Sequence, residues 1–383
     1  MTWDIFCTVI DNFGDIGVTW RIARQLAADH GQAVRLWVDD LLAFHSIRPE
    51  IDPGLNTQSL SGVEIRRWTI DLPPLEPGEV VIEALACNLP DEFVARMAKR
   101  EPKPLWLNLE YLTAENWARG VHGLPSPHPR LPLTKYFFMP GYHADSGGLT
   151  RESWLCSRRD AFQSDEHTKA DFWAELGIPA ATPDELRISM FCYENCALPG
   201  LLDAWSNAST PIRVLVPEGK ALPVIAAWFG VHETHPGAAL QRGWLNVHVL
   251  PMLDQDAYDR LLWACDLNFV RGEDSFVRAQ FARRPLIWHA YRQEQDAHLA
   301  KLDAFLALYC TDLPDATAAL ARSFWQAWNR DEDVGASWEI LRISLPVLAT
   351  HAVSWADGLC EQRDLVSNLL NFFPEKVECA VSQ

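Results

Sequence analysis

The chain of 383 residues is longer than a single hydrophobic core usually organises, so two domains are predicted. Its 48% hydrophobic and 22% charged residues are typical of a globular protein and exclude the disordered, fibrous and membrane-embedded classes. The formal net charge of -18 repels phosphate-rich surfaces, so neither a nucleic acid nor a membrane is expected as a partner.

The first half of the chain alternates between strand-like and helix-like segments. A buried strand over residues 3–10 leads through a turn over residues 11–17 into a helix that continues to about Ala28. Later segments predict a helix at LPDEFVARMAKR and strands at VRLWVDD, VEIRRW, VVIEAL and PLWLNLEYL. Alternation of this kind is typical of a parallel sheet. Residues 109–149 are rich in proline, glycine and histidine and predict long, irregular, functional loops.

A second series of strands and helices begins after a break at residues 180–183. Its strand-like segments are LRISMFCYEN, IRVLVPEG, NVHVLPML, LNFVRG and PLIWHAY, and its helix-like segments are DAYDRLLWAC, SFVRAQFARR and EQDAHLAKLDAFLALY. The pattern predicts an α/β protein with a Rossmann-like domain over residues 1–182 and a second over residues 183–350. A C-terminal helix over residues 351–373 is expected to cross back and pack on the first domain.

Cysteine usage and the N-terminus both indicate a cytoplasmic protein. The nine cysteines are odd in number and form no CxxC pair, so most are interpreted as small buried side chains in a reducing compartment. No metal site is expected, because the nearest pair, Cys192 and Cys196, lacks partner ligands. The opening residues MTWDIFCTVIDNFGD lack the basic region of a signal peptide, and no apolar stretch approaches the ~20 residues that span a bilayer.

The segment LNFVRGEDSFVR, residues 267–278, carries the strongest chemical signal. A strand delivers Arg271, a glycine, two carboxylates and Ser275 onto the first turn of a helix. Unpaired amides at a helix N-terminus bind anions, and an arginine and a serine hydroxyl add donors, so the segment suits a pyrophosphate. The alternative is that Asp274 or Ser275 only caps the helix while Glu273 complements its dipole. Its predicted place beyond the carboxyl end of a strand favours the ligand site.

Two neighbouring turns are predicted at the same edge of this sheet. Tyr193 follows one strand, and Gln255 and Tyr258 follow another. Hydroxyl, amide and aromatic groups are therefore available to bind the phosphates and the nucleobase of a nucleotide. Tyr258 suits stacking on a pyrimidine, but packing within its own helix, together with Trp263, is an equally good interpretation.

In the first domain, Asp11 and Asp15 flank a turn at the carboxyl end of the opening strand. Gly14 and Gly17 would permit a tight backbone and close approach of a ligand. The turn is not GxGxxG, which disfavours a nicotinamide cofactor. One aspartate would serve as a general base toward an acceptor while the other supports it; the alternative is an ordinary loop with Asp15 as a cap.

Beyond these signals, the chain resembles the EarP-type protein-arginine rhamnosyltransferases, which modify bacterial elongation factor P. The resemblance runs in order through nearly the whole chain. Its segments are DIFCTVIDNFGDIGVTWRIARQL, LNLEYLTAENW, HGLPSPHPRLPLTKYFFMPG, SGGLTRE, MFCYEN, LPMLDQDAYDRLLW and FVRGEDSFVRAQFA. It implies the GT-B glycosyltransferase fold, in which two Rossmann-like domains face each other across a cleft.

The resemblance also implies substrates and residue roles. The donor would be dTDP-β-L-rhamnose, the acceptor an arginine side chain of elongation factor P, and transfer would invert the anomeric carbon without a metal or other cofactor. Asp15 becomes the expected base, with Asp11 and Glu273 as supporting acids. The residues expected to bind dTDP-rhamnose are Phe13, Gly14, Tyr193, Gln255, Tyr258, Arg271, Glu273, Asp274 and Ser275.

Two other functions stay open at this point. The chain could be a different GT-B transferase, such as one acting on lipopolysaccharide, but no basic or amphipathic membrane-facing segment is evident. It could also be an adaptor that binds elongation factor P without chemistry. Retention of Asp15 and Glu273 favours the enzyme over the adaptor.

Overall fold

The computed structural model describes residues 1–10, 13–69, 73–182 and 184–381, with side chains up to residue 373. Two compact units account for the chain. Unit 1 comprises Met1–Ser153 and Gln362–Gln383, and unit 2 comprises Trp154–Glu361. The boundary expected at residue 182 therefore falls inside unit 2.

Unit 1 is built on an eight-stranded sheet of order β3-β4-β2-β1-β5-β6-β8-β7. All of its neighbours are parallel except the β3–β4 and β7–β8 pairs at the two edges. The strands are β1 Thr2–Cys7, β2 Ala33–Val38, β3 Thr57–Leu60, β4 Val63–Arg67, β5 Val80–Ala84, β6 Leu105–Leu109, β7 Pro125–Pro127 and β8 Thr134–Phe138. Between them lie the helices α1 Gly14–Ala28, α2 Leu41–Ile47, α3 Asp91–Lys99 and α4 Asn116–Val121.

Aromatic packing holds α3 against the first two strands of this sheet. Phe6 of β1 lies beside Trp37 of β2 in register, and their rings stack with centroids 5.3 Å apart. Phe93 of α3 meets Phe6 edge-on at 4.8 Å, and all three side chains are buried. Burying a side chain of this size contributes about 1.5–3 kcal/mol, so this apolar face fixes how β1 presents its carboxyl end.

Unit 1 corrects two details of the sequence prediction. The stretch 109–149 is not uniformly irregular, because α4, β7 and β8 lie within it. The turn after β1 is also shorter than expected: Gly14 and Gly17 are residues of α1, and neither has a positive φ angle. Both glycines are therefore helical residues and do not form a glycine turn.

Unit 2 contains a six-stranded sheet of order β11-β12-β10-β9-β13-β14, parallel except for the β11–β12 pair. Its strands are β9 Leu186–Met190, β10 Ile212–Pro217, β11 Ala239–Arg242, β12 Leu245–Leu250, β13 Leu267–Arg271 and β14 Leu286–His289. The helices are α5 Leu155–Ser164, α6 Glu166–Glu175, α7 Leu198–Ser206, α8 Leu222–Phe229, α9 Gln255–Ala264, α10 Asp274–Phe281, α11 Ala297–Tyr309, α12 Asp315–Asn329 and α13 Trp338–Glu361. All five predicted strands of this half are confirmed, and β11 is an additional edge strand.

The C-terminal prediction of one helix over residues 351–373 is wrong in detail. The tract is two helices, because α13 ends at Glu361 and α14 begins at Leu365 and runs to Val381. Helix α14 belongs to unit 1, where it contacts α1 and β6. The side chain of Gln25 donates to Asp364 at 2.9 Å and so ties α1 to the start of α14.

Five of the six free cysteines among the described residues are buried, as the sequence predicts, but unit 2 also contains a disulfide that was not expected. Cys156, near the start of α5, is bonded to Cys360, near the end of α13, across 204 residues of sequence. Cys196 is an exposed free thiol among the described residues. The bond joins the first and the last helix of unit 2, so it closes nearly the whole unit into one covalent loop.

Reducing this disulfide should destabilise unit 2. Because a bond across a loop this long restricts the unfolded chain strongly, we expect reductant to lower the free energy of unfolding by about 2–5 kcal/mol. Denaturant melts of the wild-type protein with and without reductant measure this difference. Cys156→Ser should abolish the response to reductant, whereas the matched variant at the exposed thiol, Cys196→Ser, should keep it. Equal stability of the oxidised and reduced protein would contradict the prediction.

No helix in the described part of the chain combines the length and the apolar character needed to cross a membrane.

Candidate functional site

Each sheet reverses its strand order at one point. In unit 1 the chain adds β2 and β4 on one side of β1 and β5, β6 and β8 on the other, so the reversal lies between β1 and β5. In unit 2 the equivalent reversal lies between β9 and β13. Ligands of open α/β sheets bind beyond the carboxyl ends of the strands at such points. Each unit therefore has one candidate site.

Arg271 is the central side chain of the candidate site in unit 2. It is the last residue of β13 and is only 6% exposed. Its guanidinium carbon lies 4.3 Å from the ring centroid of Phe191 and 4.9 Å from that of Tyr193, both in the loop after β9. Stacking on two aromatic rings fixes a positive charge beside the reversal point of the sheet.

The backbone after Arg271 turns directly into α10. Gly272 makes this turn with φ of 62°, a left-handed conformation that favours glycine. Glu273 is the N-cap of α10, and among the described residues its side chain makes no capping hydrogen bond. Asp274 and Ser275 lie inside α10, so neither occupies the N-cap position. The first-turn amides and the helix dipole provide a site for an anion next to Arg271.

Ser275 and Asp274 use their side chains within the protein. The Ser275 hydroxyl donates to the backbone carbonyl of Arg271, which directs its proton toward β13. Asp274 accepts a hydrogen bond of 2.9 Å from Nε2 of Gln255, the first residue of α9. This bond brings the turn after β12 to the start of α10, as expected for residues at one sheet edge.

Two residues of this edge were not predicted from the sequence. The ring centroid of Tyr193 lies 5.3 Å from that of His289, the last residue of β14, and 5.6 Å from that of Tyr291. Burial lowers the pKa of His289 to about 4, so this imidazole is neutral at neutral pH. Arg271 is therefore a fixed positive charge of this edge, whereas His289 is not. The signal that could have found His289 and Tyr291 is their position at the carboxyl end of the predicted strand segment PLIWHAY.

Tyr258 shows the packing that was one of its two predicted interpretations, and its stacking on a pyrimidine stays a prediction. Its ring, on α9, packs against Phe191 with centroids 5.5 Å apart and is partly exposed. Its hydroxyl is buried without a hydrogen-bond partner in the described part of the chain, and burial raises its pKa well above the usual range. The ring thus packs within the unit and still presents a surface.

Asp15 occupies the candidate site of unit 1. It is the second residue of α1, follows the carboxyl end of β1 and is 1% exposed. Its Oδ2 accepts from the backbone N–H of Ile10 at 2.7 Å, and its Oδ1 accepts from the hydroxyl of Tyr111 at 3.1 Å. The N-cap of α1 is Phe13, so Asp15 does not occupy the N-cap position. Two donors to the oxygens favour the charged carboxylate.

The remaining predicted residues divide between the two units. Phe13 and Gly14 lie at the start of α1 and are partly exposed, so they belong to the site of unit 1. Asp11 lies outside the described residues. No cluster of three or more histidine, cysteine or carboxylate side chains suited to a metal ion occurs among residues 1–10, 13–69, 73–182 and 184–381.

Comparison with known proteins places these features in a family. The model of the family described as elongation-factor P (EF-P) rhamnosyltransferase EarP matches residues 3–374. A protein-arginine rhamnosyltransferase of Pseudomonas aeruginosa is 51% identical over 374 residues, which cover 98% of this chain and 99% of the relative.

Solved structures also resemble this chain. One, described as the structural basis for EarP-mediated arginine glycosylation of translation elongation factor EF-P, is 37% identical with a TM-score of 0.70 and covers 98% of this chain and 99% of its own. MurG of Acinetobacter baumannii aligns with a TM-score of 0.51 at 10% identity, covering 96% and 97% of the two chains, which shows a likeness of fold alone.

Proposed function

This chain belongs to the EarP family of elongation-factor P rhamnosyltransferases, and we propose that it transfers L-rhamnose from dTDP-β-L-rhamnose to an arginine side chain of elongation factor P. It is a protein-arginine rhamnosyltransferase with the GT-B fold. The donor, the inversion at the anomeric carbon and the independence from metal are the proposed parts. Arg271, fixed beside the N-terminus of α10, is the observation that carries the donor assignment.

The acceptor poses a problem of protonation. An arginine guanidinium has a pKa of roughly 12.5–13.8, and its protonated form is a poor nucleophile. Asp15 offers a buried carboxylate whose two oxygens are held by Ile10 and Tyr111. We assign Asp15 as the general base that orients the guanidinium and removes a proton as the nitrogen attacks.

The donor requires stabilisation of the departing diphosphate. As the bond between the anomeric carbon and the phosphate oxygen breaks, its electron pair leaves with dTDP. Arg271 and the first-turn amides of α10 would offset this negative charge without a metal ion. Tyr193 and Tyr258 present aromatic surfaces suited to the nucleoside.

Bond formation and proton transfer complete the step. The arginine nitrogen forms a bond to the anomeric carbon of rhamnose from the face opposite the leaving group, so a β donor gives an α product. The proton removed from the nitrogen passes to Asp15. Negative charge from Glu273 would support the cationic sugar centre in the transition state, and Asp11 keeps its proposed supporting role beside Asp15.

Intact-mass analysis of elongation factor P tests this function. Incubation with the enzyme and dTDP-rhamnose should add one deoxyhexose, and the product should carry an α-linked sugar on arginine by NMR. The same rate is expected with and without EDTA. Omitting the donor is the control, and dTDP-glucose should be a poorer donor.

Three results would contradict parts of the proposal. No mass gain, with elongation factor P still bound, would favour a non-catalytic adaptor. A β-linked product would exclude inversion. Loss of turnover in EDTA, restored by a divalent cation, would exclude the metal-independent stabilisation of dTDP.

A further inference from the structure

Tyr111 connects the candidate base to a carbonyl of the neighbouring strand end. It lies in the segment after β6, and its hydroxyl oxygen is 3.1 Å from Oδ1 of Asp15 and 3.2 Å from the backbone carbonyl of Leu85. Both atoms are acceptors when Asp15 is charged. A hydroxyl has one proton, so it can make one strong donation at a time.

The Leu85 carbonyl is held in place by unusual backbone geometry. Leu85 and Ala86 follow β5 with φ angles of 56° and 63°, which non-glycine residues rarely adopt. The amide of Leu85 donates to the carbonyl of Leu109 at 2.8 Å, which extends the pairing with β6. Backbone in this region of φ persists where its surroundings fix it, often at functional sites.

We propose that Tyr111 is a positioning residue for Asp15 whose hydroxyl changes its hydrogen-bond acceptor during the reaction. Before transfer, Tyr111 donates to the Asp15 carboxylate and holds it toward the acceptor. When Asp15 takes the arginine proton, the new carboxyl O–H donates to the oxygen of Tyr111. The Tyr111 proton then turns to the Leu85 carbonyl. This inference rests on the proposed role of Asp15 as the base.

The proton count balances without ionising the tyrosine. An N–H bond of the acceptor arginine breaks, an O–H bond forms on Asp15, and the O–H bond of Tyr111 only rotates. The amide of Ile10 stays on the other carboxyl oxygen throughout. Every buried polar group of the set thus keeps a partner in both protonation states, which avoids the cost of leaving one unsatisfied.

Other ionisable groups lie near this strand edge and are potential sources of a pH dependence. Burial, with a smaller contribution from the charge of Asp15, raises the pKa of Cys7 well above its usual range, and burial raises that of Cys87 to about 12. Both thiols therefore stay neutral through the working range. Glu83 is paired with Lys135 at 2.6 Å. The ionisable groups at or just after the carboxyl ends of β1, β2, β5 and β6 in the described residues include Cys7, Asp39, Glu83, Cys87, Glu110 and Tyr111.

Tyr111→Phe tests the proposal through the pH profile of kcat. Removing a donor to the charged carboxylate makes the charged form less favourable, so the acid limb should move up by about one pH unit. We also expect kcat at neutral pH to fall about tenfold, with KM for both substrates nearly unchanged. Tyr136→Phe, a partly buried tyrosine of β8 that packs against Phe372, is the matched control and should leave the profile in place.

A double variant distinguishes a Tyr111 that acts through Asp15 from a Tyr111 that only supports the fold. If Tyr111 acts through the base, the Asp15→Asn/Tyr111→Phe double variant should be no slower than Asp15→Asn alone. Incorporating 3-fluorotyrosine at position 111 keeps the ring and hydroxyl while strengthening the donor, and should move the acid limb down.

The inference is overturned if the acid limb of the pH profile does not move in Tyr111→Phe, or if the losses of kcat in the double variant are fully additive. In either case the wild-type enzyme still transfers rhamnose. If the wild-type protein fails to modify elongation factor P, the proposed function fails instead. The two failures are therefore distinguishable.

Discussion

Asp15→Asn is expected to lower kcat for rhamnosyl transfer by about 10²- to 10⁴-fold. Asparagine keeps an oxygen that can accept from the Ile10 amide, so the loop after β1 should hold its geometry. It cannot accept a proton from the acceptor arginine. Binding of dTDP, which we assign to unit 2, should be nearly unchanged by calorimetry. A time course of intact elongation factor P measures the loss of turnover.

Asp39→Asn is the matched control for this prediction. Asp39 also accepts a backbone N–H of the same loop, from Val9 at 2.9 Å, but it is exposed and is not assigned to the chemistry. Its replacement should change kcat little. Equal losses in the two variants would mean that loop anchoring, rather than proton transfer, explains the effect of Asp15. Turnover retained in Asp15→Asn would exclude Asp15 as the base.

The second large effect is expected for Arg271→Met, which should weaken dTDP binding by about 2–4 kcal/mol, or ~30- to 1,000-fold. Methionine fills much of the same volume but removes the positive charge between Phe191 and Tyr193. The diphosphate would then lose its charge-assisted donor and keep only the helix amides. Titration calorimetry with dTDP measures the change directly, without requiring turnover.

Arg242→Met provides the comparison in the same unit. Arg242, on the edge strand β11, stacks on Trp228 with its guanidinium carbon 4.0 Å from the ring centroid, but it is exposed. The control therefore removes an arginine stacked on an aromatic ring without touching the carboxyl edge of β13. Unchanged dTDP affinity is expected for it. If Arg271→Met binds dTDP as tightly as the wild type, the phosphate assignment is wrong.

Much of the sheet architecture was predictable because buried strands carry a local signal. Strands such as β1 and β10 are mostly apolar and almost continuously buried, and each is followed by a turn and a helix. The short edge strands β3, β7 and β11 were missed because they carry little apolar pattern of their own. Their pairing is decided by the neighbouring strand, which residue periodicity alone does not reveal.

The candidate sites were predictable to a different degree in each unit. The segment around Arg271 could be recognised because a strand, a glycine and a helix start follow one another directly in sequence. Tyr111 could not be assigned, since 96 residues separate it from Asp15. The pairing of Cys156 with Cys360 was equally hidden, because its 204-residue separation leaves no local pattern.

By itself, the sequence determined the α/β class, the succession of the main strands along the chain and the positions of Asp15 and Arg271 at the carboxyl ends of two of them. These properties depend on interactions between residues close along the chain. The tertiary structure decided which side chains meet: Arg271 with Phe191 and Tyr193, and Asp15 with Tyr111. Strand order brings these residues to one sheet edge in each unit, and that order follows from the packing of the whole sheet rather than from any short segment.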